Sequence, residues 1–390
     1  MLIIITLSAF FSLFLPKVAF PFLLFFSLLF YFTSLNMGSI SPLNSDYFFI
    51  VQDEVSVFIV LLLFFILFIC FLVTFTYNHT KLVFFLFFIL LISCYVVYST
   101  LSLFWLYIFF EVSLLPIFFI IVKWGSYPER SNSIIMIFMY TLLFSVPFLF
   151  LIFITYSTTL SWCLFSFDFP LTPFSSLLLF LCFSVKLPIY GLHFWLPIAH
   201  VEAPVFGSVI LASLLLKLGG VGLFRVSSLL DFQILSHVLL GYLRFFLAFS
   251  VCVCCFQSDF KRLIAYSSVA HIMTVPFLIL NLSSISSPRI ILIMLFHGFS
   301  SSLLFLSVGI LYSFYSSRLL IIMRGLLSLT PSLSLLLVLS FFYTLSAPPF
   351  PSFVSEVFFI LSSLSLRIFF LPFFLIFLFS FLLLPFLPFF

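Results

Sequence analysis

The chain has 390 residues, of which 65% are hydrophobic and 6% charged, with 67 phenylalanines and a mean hydropathy of +1.46. Soluble domains carry about 25% charged and 45–50% apolar residues, so a soluble enzyme fold is excluded; the aromatic content excludes disorder, and the few glycines and cysteines exclude collagen-like and disulfide scaffolds. The net charge of +4 comes without a basic run of five or more residues, so nothing supports nucleic-acid binding.

A bilayer core of about 30 Å takes about 20 apolar residues per helix, and dividing the chain at its polar interruptions predicts about thirteen spans. They cover 2–16, 18–33, 55–75, 82–99, 101–121, 134–155, 174–196, 205–224, 233–257, 263–281, 290–314, 332–362 and 368–390. Helix is the required state, because the other spanning structure is a closed barrel whose strands alternate apolar and polar residues, and no such alternation occurs. The start, Met1-Leu-Ile-Ile-Ile-Thr, has no charge before Lys17 and lacks both a basic secretory signal and an Arg-rich presequence, so no cleavage is expected. An excess of phenylalanine, leucine and serine is what a T-rich coding strand produces, which predicts an organelle gene. The connections around 34–54, 122–133, 156–173 and 315–331 are too short to fold alone, so residues 1–390 form one membrane domain.

Odd-numbered loops hold Lys17, Lys81, Lys123, Arg130, Lys261, Arg262, Arg318 and Arg324, whereas even-numbered loops hold Arg225, Arg289 and Arg367. Eight against three places the odd loops on the cytoplasmic or matrix side. Cys252 and Cys255 form a Cys-x-x-Cys spacing beside Cys254, but without a second pair or nearby histidines they read as helix packing rather than a metal site. No nucleotide fingerprint, Walker loop, iron–sulfur cysteine cluster or haem-attachment motif is present, so no metal or cofactor site is expected in this chain.

The informative residues are ionisable groups inside apolar spans, where a charge at a helix centre costs about 2.5–3.5 kcal/mol and commonly marks an ion pathway. Glu111 lies in the fifth span, Lys186 in the seventh, Lys217 in the eighth, His271 in the tenth, His297 in the eleventh and Glu356 in the twelfth. Any one of them could be half of a structural ion pair or a satisfied core histidine; six together favour a proton relay. Arg244 and His237 in the ninth span read as structural. Lys186 precedes Pro188 and Gly191, and Glu356 follows Pro348, Pro349 and Pro351, so both spans should break where broken backbone can line a wet cavity. Pro188 and Pro348 are 160 residues apart, as are Glu111 and His271, which predicts two repeats, about 82–224 and 233–390. Moving a proton against 100 mV costs about 2.3 kcal/mol, whereas an ion pair at 4 Å is worth on the order of 4 kcal/mol at an effective dielectric near 20. Making and breaking a Glu111–Lys186 pair is therefore sufficient in scale.

Phe109-Phe110-Glu111-Val-Ser-Leu-Leu-Pro116, Trp124-Gly125 and Pro128-Glu129-Arg130 resemble the fifth helix and following loop of the antiporter-like membrane subunits of the respiratory NADH:quinone oxidoreductase. Val185-Lys186-Leu-Pro-Ile-Tyr-Gly-Leu-His-Phe-Trp-Leu-Pro197, Ala199-His-Val-Glu-Ala-Pro204 and Leu216-Lys-Leu-Gly-Gly220 resemble that family's seventh and eighth helices. Lys261-Arg-Leu-Ile-Ala-Tyr-Ser-Ser-Val-Ala-His271, His297-Gly298 and Phe353-Val-Ser-Glu356 extend the likeness over roughly 46–362.

The resemblance implies an all-α polytopic bundle, fourteen helices in the family, with two inverted five-helix repeats. It implies a proton-translocating role in complex I, in which Glu111 modulates Lys186, Lys217 continues the relay, and His271 and Glu356 lie toward the exit. NADH, FMN, iron–sulfur clusters and quinone would belong to other subunits, and the partners would be other membrane-arm subunits, especially neighbouring antiporter-like chains 2 and 5. The implied location is the mitochondrial inner membrane. A subunit of a multi-subunit cation/proton antiporter, or a non-pumping member of the same fold, are the alternatives. Ile198 stands where many relatives have lysine and Ser355 where glycine is frequent, and the family's last helix has no room after residue 390, which leaves the helix count and the flexibility of the twelfth-span break open.

Overall fold

The computed structural model describes residues 53–76, 81–125, 128–159, 162, 172–230, 236–280, 286–320, 322 and 330–364. The expected spans 2–16, 18–33 and 368–390 lie outside the described residues, as do Lys17, Arg324 and Arg367. Among the described residues every regular element is a helix, and an isolated antiparallel bridge joins Asp259 to Leu319. Eight helical stretches are long and apolar enough to cross a membrane: Glu54–Thr74, Leu82–Ser99, Leu103–Trp124, Arg130–Thr158, Val205–Val226, Val238–Cys255, Phe260–Leu280 and Pro288–Tyr315. They match spans three to six and eight to eleven. The expected seventh and twelfth spans are the shorter helices Pro173–Lys186 and Pro331–Thr344, each followed by a break.

In chain order the elements are α1 (Glu54–Thr76), α2 (Lys81–Ser99), α3 (Leu103–Val112), α4 (Leu114–Trp124), α5 (Arg130–Thr159), α6 (Pro173–Lys186), α7 (Trp195–Glu202) and α8 (Val205–Ile210). A π-helical turn, Leu211–Leu215, joins α8 to α9 (Leu216–Val226); then follow α10 (Ser236–Cys255), α11 (Phe260–Ile272), α12 (Thr274–Leu280), α13 (Ser286–Tyr315), α14 (Pro331–Thr344) and α15 (Ser352–Leu364). The breaks expected near Pro188 and Pro348 are present. Two further interruptions, at Ser113 between α3 and α4 and at Met273 between α11 and α12, were not anticipated as breaks. Each stands three residues before a proline, Pro116 and Pro276, whose missing N–H removes a backbone bond from the preceding turn. These two interruptions are again 160 residues apart.

Two spans form the centre: 94% of the hydrophobic window of Val205–Val226 and 89% of that of Phe260–Leu280 are buried within the chain, against 28% for Arg130–Thr158. The outer face of α5 carries Ile135, Met139, Leu143, Val146 and Phe150 at helical spacing, all exposed, as suits a helix whose other solvent is lipid. α13 packs against α1, α8, α11, α14 and α15 and so links the two halves. The two ends of the bundle also sort as the charges suggested. At one end Arg318 donates to Val201 O and Lys261 to Ala203 O, bringing the eleventh and ninth loops to the seventh, while Arg130 donates to Gly125 O within the fifth. At the other, Arg225 pairs with Asp53 at 3.0 Å and donates to Tyr98 O at 2.9 Å, gathering even-numbered loops. Of the clustered cysteines, Cys254 is fully buried with its Sγ 3.2 Å from Leu263 O, a packing role between α10 and α11.

α9 owes its close approach to α6 to glycine. A β-carbon on Gly222 would overlap the Phe183 ring, and one on Gly219 would lie 3.1 Å from both Leu187 N and Lys186 Cβ. Gly222→Val is therefore expected to overpack this contact at a cost of about 1–3 kcal/mol, lowering the melting temperature or the yield of the assembled protein relative to the same change at Gly241, which faces open space.

Candidate functional site

α6 ends at Lys186 because Pro188 and Gly191 follow. Gly191 has φ +92°, a left-handed conformation that favours glycine, and the indole of Trp195 donates to Val185 O at 3.0 Å, satisfying a carbonyl released by the break. A cation at a helix C-terminus is favourably placed against the macrodipole. The Lys186 ammonium donates to Phe110 O at 2.8 Å, rests 3.0 Å from the centroid of the Phe110 ring, and stands 4.0 Å from Glu111 Oε1. The Phe110 carbonyl also accepts from Ser113 Oγ at 2.7 Å, so the α3–α4 interruption brings two side-chain donors to one oxygen. Glu111 Oε1 makes no hydrogen bond among the described residues, which leaves charge alone to hold the pair. The Lys186 side chain is 5% exposed and that of Glu111 25%, so the base is the more deeply enclosed of the pair.

Lys217 is 1% exposed, and its Nζ donates to Ala212 O at 2.7 Å. A π-helical turn widens the helix and leaves carbonyls available for side chains. Here two of its carbonyls are taken: Ala212 O by Lys217, and Leu214 O by the phenol of fully buried Tyr98 at 2.9 Å. Lys217 lies within electrostatic range of His297 on α13. The His297 and His271 rings are 6.0 Å apart, and His271 Nδ1 stands 3.9 Å from Glu356 Oε1, an ion pair whenever the imidazole is protonated. Ser346, at φ +53° in the break between α14 and α15, sits beside the Glu356 carboxylate.

His271, His297, Tyr343, Ser346, Ser355 and Glu356 are among the residues lining a cavity of about 40 Å³. That exceeds the roughly 10–15 Å³ a water requires, and neither His297 ring nitrogen has a hydrogen-bond partner among the described residues. A water there could join the two imidazoles and the acid.

The predicted residues thus fall into two groups. Glu111 and Lys186 form one; Lys217, His297, His271 and Glu356 form the other. Lys186 and Lys217 are not directly paired, and the groups meet where Lys186 Cβ packs against Gly219, two residues beyond Lys217. Pro188 and Pro348 both lie in the breaks, as expected. Arg244 reads as structural, its guanidinium 5.7 Å from the Phe277 ring centroid, and the side chain of His237 lies outside the described residues. Among the described residues no group of His, Cys, Asp or Glu is arranged to hold a metal ion. Sequence reasoning passed over the Phe110 carbonyl, Tyr98, the Asp53–Arg225 pair and His200. A backbone carbonyl leaves no signature in a sequence; Arg225 reads there as a loop charge, with Asp53 on a separate connection.

The family described as NADH:quinone oxidoreductase/Mrp antiporter, TM matches residues 100–382. Curated relatives named NADH-ubiquinone oxidoreductase chain 4 include those of Artemia franciscana, 44% identical over 197 residues covering 50% of each chain, and Caenorhabditis elegans, 41% identical over 219 residues covering 52% of this chain and 49% of the relative. The chain therefore spans about half the length of the curated relatives it matches. Its fold is similar to a chain of the respiratory complex I of Thermus thermophilus, with TM-score 0.86 at 19% identity over 98% of this chain and 87% of that one. It is also similar to a chain of the Mrp complex of Dietzia sp., with TM-score 0.83 at 16% identity over 97% and 78%.

The Tyr98 phenol tests the scaffold beneath Lys217. Tyr98→Phe leaves the Leu214 carbonyl buried and unpaired, which costs about 1–3 kcal/mol, and should lower the thermal stability of the assembled protein accordingly. An unchanged melting temperature would show that the bond contributes nothing.

Proposed function

Because the chain belongs to the NADH:quinone oxidoreductase/Mrp antiporter transmembrane family, we propose that it is a proton-translocating subunit of the membrane arm of respiratory complex I. The observation that carries this is the Lys186 ammonium held between the Phe110 carbonyl and the Glu111 carboxylate at the end of a broken helix. A buried ion pair loosely held at 4.0 Å can open, and once the pair is open desolvation disfavours the charged ammonium, which then passes its proton on. Lys217 and His297 receive it, His271 and Glu356 carry it onward, and the cavity beside them supplies room for water. Redox chemistry in other subunits drives the cycle; NADH, FMN, iron–sulfur clusters and quinone act there. The partners are other membrane-arm subunits, with antiporter-like chains 2 and 5 as neighbours, and the location is the mitochondrial inner membrane. Organelle coding is supported by the excess of phenylalanine, leucine and serine.

Two inverted repeats, about 82–224 and 233–390, belong to the same reading. They are supported by the 160-residue offset shared by the breaks near Pro188 and Pro348, by the interruptions at Ser113 and Met273, and by Glu111 and His271. The alternative of a multi-subunit cation/proton antiporter is favoured by the Mrp likeness, although at 16% identity that likeness concerns the fold alone. Co-purification with flavin and iron–sulfur subunits distinguishes the two. A non-pumping scaffold is the third possibility.

Glu111→Gln in an assembled complex should reduce proton pumping by about tenfold, since losing even about 1.4 kcal/mol of pairing changes proton occupancy by that factor. Assembly, judged by subunit composition and by NADH oxidation with an artificial acceptor, should be intact. Normal pumping in that complex would remove the relay assignment.

A further inference from the structure

His200 belongs to none of the contacts described above. It lies on α7 and is 0% exposed, yet neither ring nitrogen has a hydrogen-bond partner among the described residues. Buried imidazole nitrogens left without a partner are rare, because each loses its hydration on burial; such a group calls for a functional explanation or a bound water. The ring stacks on Phe305, centroids 4.6 Å apart and planes within 10°, so packing fixes its orientation while leaving its edge open to polar groups.

The ring lies within electrostatic range of two buried lysines, Lys261 and Lys217. Lys261 is anchored by a 3.0 Å bond from Nζ to Ala203 O, three residues beyond His200, and Lys217 by its bond to Ala212 O. An ammonium has three N–H donors, and each of these bonds uses one of them. Lys261 also marks a particular end of the bundle. Its neighbour Arg262, half-exposed, pairs with Asp259 at 3.2 Å, and Arg318 donates to Val201 O in the same region, so this is where the basic loops collect. Glu202, two residues past His200, has Ser133, Glu129 and Arg318 as neighbours.

We propose that His200 is a proton carrier between Lys261 and Lys217, its two ring nitrogens joined to the lysines through bound water, and that this line admits protons from the basic-loop end of the bundle. The proposal rests on the relay reading of Lys217. In the step, the Lys261 ammonium gives a proton through water to one ring nitrogen, and the proton on the other nitrogen leaves through water to a neutral Lys217 amine. One positive charge moves from Lys261 to Lys217, and Lys261 regains its proton from the aqueous side. Before the next transfer the second nitrogen takes a proton from its bound water and the first gives one up to its own, which restores the first tautomer with no net change in charge while the ring stays stacked on Phe305.

The test is proton pumping by assembled complexes carrying His200→Phe, which preserves an aromatic ring against Phe305 and removes both nitrogens. Pumping is expected to fall by about a hundredfold, the scale on which losing a proton-transfer group slows a step, with NADH oxidation by an artificial acceptor unchanged. His200→Gln, which keeps hydrogen bonding to water but does not titrate in this range, is expected to fail likewise. Normal pumping by either variant, while Lys217→Met abolishes it, would overturn the role of His200 and leave the relay standing. Normal pumping by Lys217→Met as well would instead remove the relay reading itself. Failure of both His200 variants to assemble would assign the ring to packing and overturn the proposal.

Discussion

An ammonium inside an apolar bundle is the constraint on which the rest of this structure depends. A charge at a helix centre costs about 2.5–3.5 kcal/mol, and the neighbourhood of Lys186 is built around that cost. The helix stops at the lysine, so the charge meets the negative end of the dipole; the Phe110 carbonyl accepts a hydrogen bond from it; Glu111 faces it at 4.0 Å. At that distance the attraction is on the order of 4 kcal/mol at an effective dielectric near 20, which does more to balance burial than to add stability. A pair so nearly balanced is poor as a staple and well suited to switching.

The same logic explains why the backbone is irregular where it is. Pro188, the interruptions at Ser113 and Met273 and the π-helical turn at Leu211–Leu215 lie in the buried part of the bundle, whereas the break near Pro348 buries Ser346 and exposes its prolines. Irregular backbone at membrane depth is tolerated only when its groups are satisfied by protein or by a wet cavity. Here Trp195 takes one carbonyl, Tyr98 another, Lys186 and Lys217 two more, and the break before α15 borders the cavity between His271 and Glu356. Gly219 and Gly222 then let α9 press against α6, which brings the Lys186 group up to the Lys217 group.

The fold was legible in the sequence because hydropathy and helix length are local properties. Eight long spans, two broken ones and the sorting of Arg130, Lys261 and Arg318 to one end could be read from run lengths and charge positions. The ionisable residues were legible for a related reason: Glu111, Lys186 and Glu356 stand out against a 65% hydrophobic background. What the sequence withheld was pairing. Nothing in it says that Asp53 would reach Arg225, that Tyr98 would hold the π turn, or that His200 would be buried with both nitrogens open, since those contacts join residues far apart in the chain or depend on which face of a helix turns inward. The Ser113 and Met273 interruptions were within reach, signalled by Pro116 and Pro276, but the two prolines lie in uninterrupted apolar runs.

The central claim is that the two groups of ionisable residues form one line in series. The most direct test is the rate of proton pumping by assembled complexes neutralised at the Lys186 end, at the Glu356 end, and at both. A line in series predicts that all three lose pumping to the same extent, because interrupting either group stops the whole transfer. Losses that compound in the double variant, each single variant retaining its own share, would show two independent routes and contradict the account.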